Sequence, residues 1–142
     1  MPTLPSAPLN ALIETALYVG DLDISKSFYV DVLGCYIMSH SERLLALSVA
    51  DRSVLLLFNR DAGNAPVKTQ GGTVPAHGAS GVQHVGFAIP PDSLGAWRTR
   101  LAAAGVAIES EVSWERGGHS IYIRDPDGHS IELLTPGLWA VY

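Results

Sequence analysis

Apolar and polar side chains alternate along two matching stretches of the chain, and a period of two is typical of strands with one buried face. Residues 11–19 form the first stretch, with Glu14 on the less apolar face. Residues 81–89 form the second, with His84 on the corresponding face. Both stretches are predicted to be strands, and each directs one side chain that can bind a metal away from the core.

A helical period follows each of these strands. Apolar residues recur three or four positions apart between about 22 and 33, after Asp21 and Asp23, either of which can cap the helix. The same spacing recurs between about 93 and 104, where Asp92 is predicted to cap the helix. Further strands are predicted at residues 35–40, 43–49, 53–58, 106–113, 120–124 and 130–134.

The order of one strand, one helix and three strands therefore occurs twice, which is an internal repeat. We predict an α+β chain of two βαβββ modules, at residues 11–59 and 81–142. Residues 60–80, which are rich in Gly, Pro, Asn and Ala, are predicted to form a connecting loop. Residues 1–10 contain three prolines and are predicted to form a flexible N-terminal tail.

The last two strands form a predicted hairpin whose turn, residues 125–128, reads Asp-Pro-Asp-Gly. On the return strand Glu132 shares a face with Ser130 and Leu134. A carboxylate in so apolar a strand is costly to bury unless a cation or hydrogen-bond donors accompany it. Glu132 is therefore the first candidate for a functional role.

The charge, apolar runs and cysteine content of the chain exclude some classes of binding partner. The 142 residues are 47% hydrophobic and carry a formal net charge of -5, with no cluster of Lys and Arg, so we expect no nucleic acid partner. No apolar run approaches the roughly 20 residues of a membrane-spanning helix, so we expect no membrane partner. Cys35 is the only cysteine, which excludes an internal disulfide and favours a cytoplasmic location.

Superposing the two modules aligns Glu14 with His84, and it aligns Leu55 with Glu132. Imidazole and carboxylate groups bind Mn, Fe, Ni, Zn or Mg, and three protein ligands leave positions open for substrate. We therefore predict that Glu14, His84 and Glu132 hold a divalent metal ion. The alternative is a hydrogen-bonded strand histidine and a solvated carboxylate, and spacing alone does not exclude it.

The sequence resembles a known family over residues 12–135. The first module resembles the vicinal oxygen chelate superfamily at residues 14–22, 27–29 and 32–34, and the second at residues 84–87 and 122–133. That superfamily includes glyoxalase I, fosfomycin-inactivating thiol transferases, bleomycin-resistance proteins and extradiol dioxygenases. The resemblance implies a cup-shaped mixed sheet, the glyoxalase/bleomycin resistance/dioxygenase fold, in a homodimer.

The resemblance also implies roles for particular residues. The family's metal ligands fall on Glu14, His84 and Glu132, while Leu55 takes the place of the fourth ligand of glyoxalase I. The Glu at position 14, where the family most often has His, favours a harder ion such as Mn, Mg or Fe(II) over Zn.

Several residues near Glu132 are candidates for contact with a small-molecule substrate. Tyr122 is a candidate hydrogen-bond donor or general acid and, with Glu132, a predicted catalytic residue. Predicted substrate-binding residues are Ser120, Arg124, Arg116 and His119. The two arginines and the histidine would bind an anionic group.

The predicted function is that of a metal-dependent enzyme, of the lyase/isomerase or dioxygenase type, whose substrate chelates the metal through neighbouring oxygens. The alternatives are a metal-free ligand-sequestering protein of the bleomycin-resistance type and a thiol transferase of the fosfomycin-resistance type.

Overall fold

The computed structural model describes all 142 residues of the chain. Two helical segments and ten strands occur in an order that repeats around a short hairpin. The elements of the first half are β1 (Glu14–Val19), α1 (Leu22–Lys26) with a π-helical continuation (Ser27–Val32), β2 (Tyr36–His40), β3 (Leu44–Val49) and β4 (Ser53–Asn59). The remaining elements are β5 (Val67–Thr69), β6 (Gly72–Val74), β7 (His84–Ala88), α2 (Leu94–Ala103), β8 (Ser110–Ser113), β9 (His119–Arg124) and β10 (Ser130–Leu134).

Two four-stranded mixed sheets carry the fold. Their strand orders are β1-β4-β3-β2 and β7-β10-β9-β8, so the second sheet repeats the topology of the first. In each sheet the first and last strands are parallel and the other neighbours are antiparallel. The predicted α+β fold of two βαβββ units is therefore confirmed.

The strand register corrects one detail of the repeat. Glu132 pairs with Gly86 across the second sheet, and the equivalent pair in the first sheet is Ala16 with Leu56. Leu56, not Leu55, therefore occupies the position equivalent to Glu132. Leu55 is 2% exposed and belongs to the core, so the alignment of Leu55 with Glu132 was wrong by one residue.

The helix ends follow local sequence signals only in part. Asp21 caps α1 as predicted, since its carboxylate accepts hydrogen bonds from the amides of Asp23 and Ile24. The predicted cap at Asp92 is wrong, because α2 begins after Ser93, whose hydroxyl donates to the carbonyl of Pro90 instead. The first strand also begins at Glu14 and not at residue 11.

One connected core includes residues of both sheets. It takes alternate side chains from both sheets together with Phe28, Tyr29 and Leu101 of the helical segments. Because strand side chains alternate, the face of each sheet that carries Glu14 or His84 points away from this core. Glu14 and the His84–Glu132 pair therefore lie on the faces of their own sheets that are directed away from the core.

The connecting segment 60–80, predicted as a loop, contains a hairpin formed by β5 and β6. Beyond the hairpin, His77 packs against the outer face of the first sheet. Its ring lies 4.6 Å from the ring of Phe58, and its Nδ1 is hydrogen-bonded to the hydroxyl of Tyr18. The segment therefore covers part of the face that carries Glu14.

The turn between β9 and β10 joins the two halves of the chain. Asp125 is buried and accepts a hydrogen bond of 2.7 Å from the hydroxyl of Tyr29. Asp127 accepts a bond of 2.8 Å from the amide of Gly20. The fully buried His129 lies 2.8 Å from the carbonyl of Tyr18 through Nε2. Residues 125–129 are therefore a joint between the modules as well as a hairpin turn.

No helix of the chain has both the length and the apolar character that crossing a membrane requires.

Candidate metal centre

His84 and Glu132 meet on the outer face of the second sheet. They lie on β7 and β10, which are parallel neighbours, and His84 Nε2 is 3.5 Å from Glu132 Oε1. The side chain of His84 is 52% exposed, whereas that of Glu132 is 10% exposed. A nearly buried carboxylate thus faces an imidazole nitrogen that solvent can reach.

The contact made by the other ring nitrogen of His84, Nδ1, indicates which tautomer of the ring is present. His84 Nδ1 lies 3.0 Å from the carbonyl oxygen of Ser130, which can only accept, so Nδ1 carries the proton. In the neutral ring Nε2 is then an acceptor, and it faces the carboxylate of Glu132 across a short gap. Two acceptors at this distance require a proton or a cation between them, and the residues present therefore fit a divalent metal ion.

The other oxygen of Glu132 is held by protein donors. Ser120 donates to Glu132 Oε2 at 2.5 Å, and Trp114 Nε1 donates to the Ser120 hydroxyl at 2.8 Å. Across the sheet Gly86 has no side chain, and a Cβ at that position would lie 3.7 Å from Glu132 Oε1. Glu132 Oε2 is therefore held by Ser120, whereas Oε1 faces His84.

Tyr122 is the cross-strand neighbour of Glu132 on β9. Burial, followed by the negative charge of Glu132, raises the pKa of the Tyr122 phenol above its ordinary value. The phenol is therefore protonated at neutral pH and available as a hydrogen-bond donor on this face.

Glu14 does not join His84 and Glu132 within one chain. Its strand presents it to solvent on the outer face of the first sheet. No group of three or more His, Cys, Asp or Glu side chains in the chain could hold a metal ion. The structure therefore brings together two of the three predicted ligands.

The predicted substrate-binding residues are dispersed. Ser120 lies beside Glu132 but is fully buried. Arg124 forms a salt bridge with Glu109, with Nε 2.7 Å from Oε2. His119 points to the helical side of the sheet, where its Nε2 lies 2.8 Å from Glu111. Arg116 is exposed in the turn between β8 and β9.

An apolar cavity of about 530 Å³ adjoins His84. It lies between β7 and the ends of β1, β3 and β4, and Arg52 lines it as well. The sequence did not predict this cavity, because its walls come from three segments, residues 12–15, 49–55 and 84–88, that are far apart in the chain.

The repeated topology defines a class of protein with two βαβββ units. In this class member the facing side chains of His84 and Glu132 form a candidate metal site on two strands. The chain belongs to the Glyoxalase/Bleomycin resistance protein/Dioxygenase superfamily, whose family model matches residues 11–133.

Similar proteins include lyases and a transferase. The crystal structure of lactoylglutathione lyase from Agrobacterium tumefaciens superposes with a TM-score of 0.85 at 34% identity, covering 94% of this chain and 99% of that one. A lactoylglutathione lyase of Haemophilus influenzae is 30% identical over 131 residues, which are 87% of this chain and 90% of that protein. Metallothiol transferase FosB of Shouchella clausii is 45% identical over 56 residues, 37% of each chain.

Proposed function

We propose that the protein is a divalent-metal-dependent enzyme acting on a small substrate that presents two neighbouring oxygens to the metal. The observation that carries this proposal is the 3.5 Å approach of His84 Nε2 to Glu132 Oε1, with the opposite atom of each group already hydrogen-bonded. An arrangement of two fixed acceptors around a shared point is typical of metal ligands supported by a second layer of hydrogen bonds.

The third ligand in this proposal is Glu14 of a second copy of the chain. Within one chain Glu14 does not join His84 and Glu132 in a group that could hold a metal ion, so the proposal supplies Glu14 from another chain. A two-fold homodimer would then contain two equivalent sites, each built from both copies.

Three protein ligands leave coordination positions for a substrate. Leu56 stands where the repeat would place a fourth ligand, and its side chain has no donor atom. The bound metal would act as a Lewis acid that polarises a substrate oxygen. Tyr122, protonated beside Glu132, would donate a hydrogen bond to an oxygen held there, and Glu132 would fix the position of the site.

The reaction type proposed first is that of a lyase or isomerase, because full-length relatives are named lactoylglutathione lyase. Dioxygenation comes next. Thiol transfer is placed third, and the 45% identity with a metallothiol transferase over 56 residues favours it. We also propose a cytoplasmic location, which the free and buried Cys35 supports.

Metal titration tests the proposal. Protein stripped of metal with a chelator is titrated with Mn²⁺ and with Zn²⁺ by calorimetry. We expect one ion per chain, and a loss of affinity of at least about 100-fold in His84→Ala. His40→Ala is the matched control, since His40 is an exposed strand histidine far from Glu132 in sequence, and it should bind as the wild type does.

The opposite result would support a different function for the protein. If the wild type takes up no metal, or if His84→Ala binds as tightly as His40→Ala, the enzymatic proposal is wrong. A metal-free protein that sequesters its ligand then becomes the better interpretation.

A further inference from the structure

Ser120 is fully buried although its hydroxyl lies within the candidate site. It occupies β9 next to β10, and its Oγ accepts a hydrogen bond from Trp114 and donates one to Glu132. A hydroxyl with no exposed surface cannot contact a substrate at this site. Its function must therefore be sought in these two contacts.

The direction of both hydrogen bonds follows from the chemistry of the partners. The indole Nε1 of Trp114 can only donate, so the Ser120 oxygen accepts that bond. The ionised carboxylate of Glu132 can only accept, so the single proton of Ser120 goes to Glu132 Oε2. Ser120 is thus one link in a chain from Trp114 to Glu132 and cannot rotate without losing both bonds.

This chain decides which oxygen of Glu132 remains free. Oε2 is occupied by Ser120, and Oε1 is the atom that faces His84 Nε2. A carboxylate free to rotate could offer both oxygens to one ion or turn away from it. A carboxylate held at Oε2 keeps Oε1 directed at His84.

We propose that Ser120 and Trp114 are positioning residues that fix Glu132 as a ligand through one oxygen. The proposal rests on the proposed function, since it assigns these residues a role toward the metal. It replaces the expectation that Ser120 binds substrate. Donors of this kind are as important to metal sites as the ligands, because their hydrogen bonds orient the ligand before the metal arrives.

Metal affinity and the coordination spectrum test this role without reference to activity. Chelator-stripped wild type, Ser120→Ala, Trp114→Phe and the double variant are titrated with Mn²⁺ by calorimetry and with Co²⁺ by visible absorption. Ser113→Ala is the matched control, because Ser113 lies on the neighbouring strand and its hydroxyl contacts His119 and not Glu132.

We expect Ser120→Ala to weaken Mn²⁺ binding by about 10- to 100-fold and to change the Co²⁺ spectrum, since Glu132 can then bind through both oxygens. Trp114→Phe should weaken binding by about 2- to 10-fold, because the lost bond acts only through Ser120. In the Ser120→Ala background Trp114→Phe should cause no further loss. Ser113→Ala should leave affinity and spectrum unchanged.

Three outcomes would overturn the inference. Ser120→Ala that binds Mn²⁺ with wild-type affinity and spectrum shows that Ser120 does not position Glu132, while the proposed function stands. Additive losses from Trp114→Phe and Ser120→Ala show that the two residues act separately. A wild type that binds no metal removes both the inference and the proposed function. If circular dichroism shows Ser120→Ala unfolded, Ser120→Cys and Trp114→Phe take its place, with a weakened affinity expected for both.

Discussion

His84 and Glu132 differ in exposure, and the difference matters at the scale of single residues. A carboxylate as buried as Glu132 loses most of its hydration, which costs free energy unless hydrogen-bond donors or a cation replace the water. Ser120 replaces part of it, and the open side faces His84. Glu132 thus has one oxygen that accepts a hydrogen bond from Ser120 and one oxygen that faces His84.

The corrected register leads to a prediction for a substitution at Leu56. Leu56→Glu places a carboxylate on the same face as Glu14, at the position equivalent to Glu132, and should lower the free energy of unfolding by only about 1 kcal/mol. It should also tighten Mn²⁺ binding, since it adds a fourth ligand to the proposed site. Urea denaturation and calorimetry measure the two effects.

Leu55→Glu is the matched control for that substitution. It buries an unpaired charge in the core, where Leu55 is 2% exposed, and should lower the free energy of unfolding by about 3–5 kcal/mol. Equal effects of the two substitutions would contradict the register.

Sequence periodicity predicted which faces His84 and Glu132 occupy, because polar residues interrupt their strands. It failed at Leu55 because three consecutive leucines, residues 55–57, give no polar position from which to read the phase. The surroundings of Arg124 and His119 could not be predicted either. Their partners, Glu109 and Glu111, lie on or beside another strand, and the pairing depends on how the sheet folds.

At the scale of elements, the turn after β9 holds the modules together. Burial, together with the hydrogen bond to Asp125, raises the pKa of Tyr29 far above its ordinary value. Local signals predicted the turn itself from Asp, Pro and Gly. They could not predict its contacts with Tyr29, Gly20 and Tyr18, which come from the other half of the chain.

The pKa of Tyr29 implies a loss of stability at alkaline pH. In the unfolded chain the phenol ionises near pH 10, whereas in the folded chain it stays protonated. Above that pH the unfolded chain binds fewer protons than the folded one, so the free energy of unfolding falls by about 1.4 kcal/mol per pH unit from this group.

Tyr29→Phe should therefore lower the free energy of unfolding by about 1–3 kcal/mol at pH 7 and remove this contribution to the slope above pH 10. Urea denaturation at pH 7, 10 and 11 measures both effects. Cys35, whose pKa burial raises to about 11, contributes equally to both proteins. Tyr36→Phe, at an exposed tyrosine, should change neither value, and an unaltered slope in Tyr29→Phe would contradict the account.

At the scale of the whole molecule, the residues of the proposed metal site are divided between the two sheets. One chain carries Glu14 on its first sheet and the His84–Glu132 pair on its second. Edge strand β2 also exposes the large apolar side chains of Tyr36, Ile37 and Met38. Exposed apolar patches of this kind mark interfaces, and they support the proposed second copy.

A mixing experiment tests the shared site most directly. Glu14→Ala and His84→Ala are each expected to bind Mn²⁺ weakly. After the two variants are mixed, unfolded and refolded together, each mixed dimer should contain one site with all three ligands. Random pairing should then restore tight binding to about one quarter of the sites. If the mixture binds no more Mn²⁺ than the separate variants do, the site is not built from two copies.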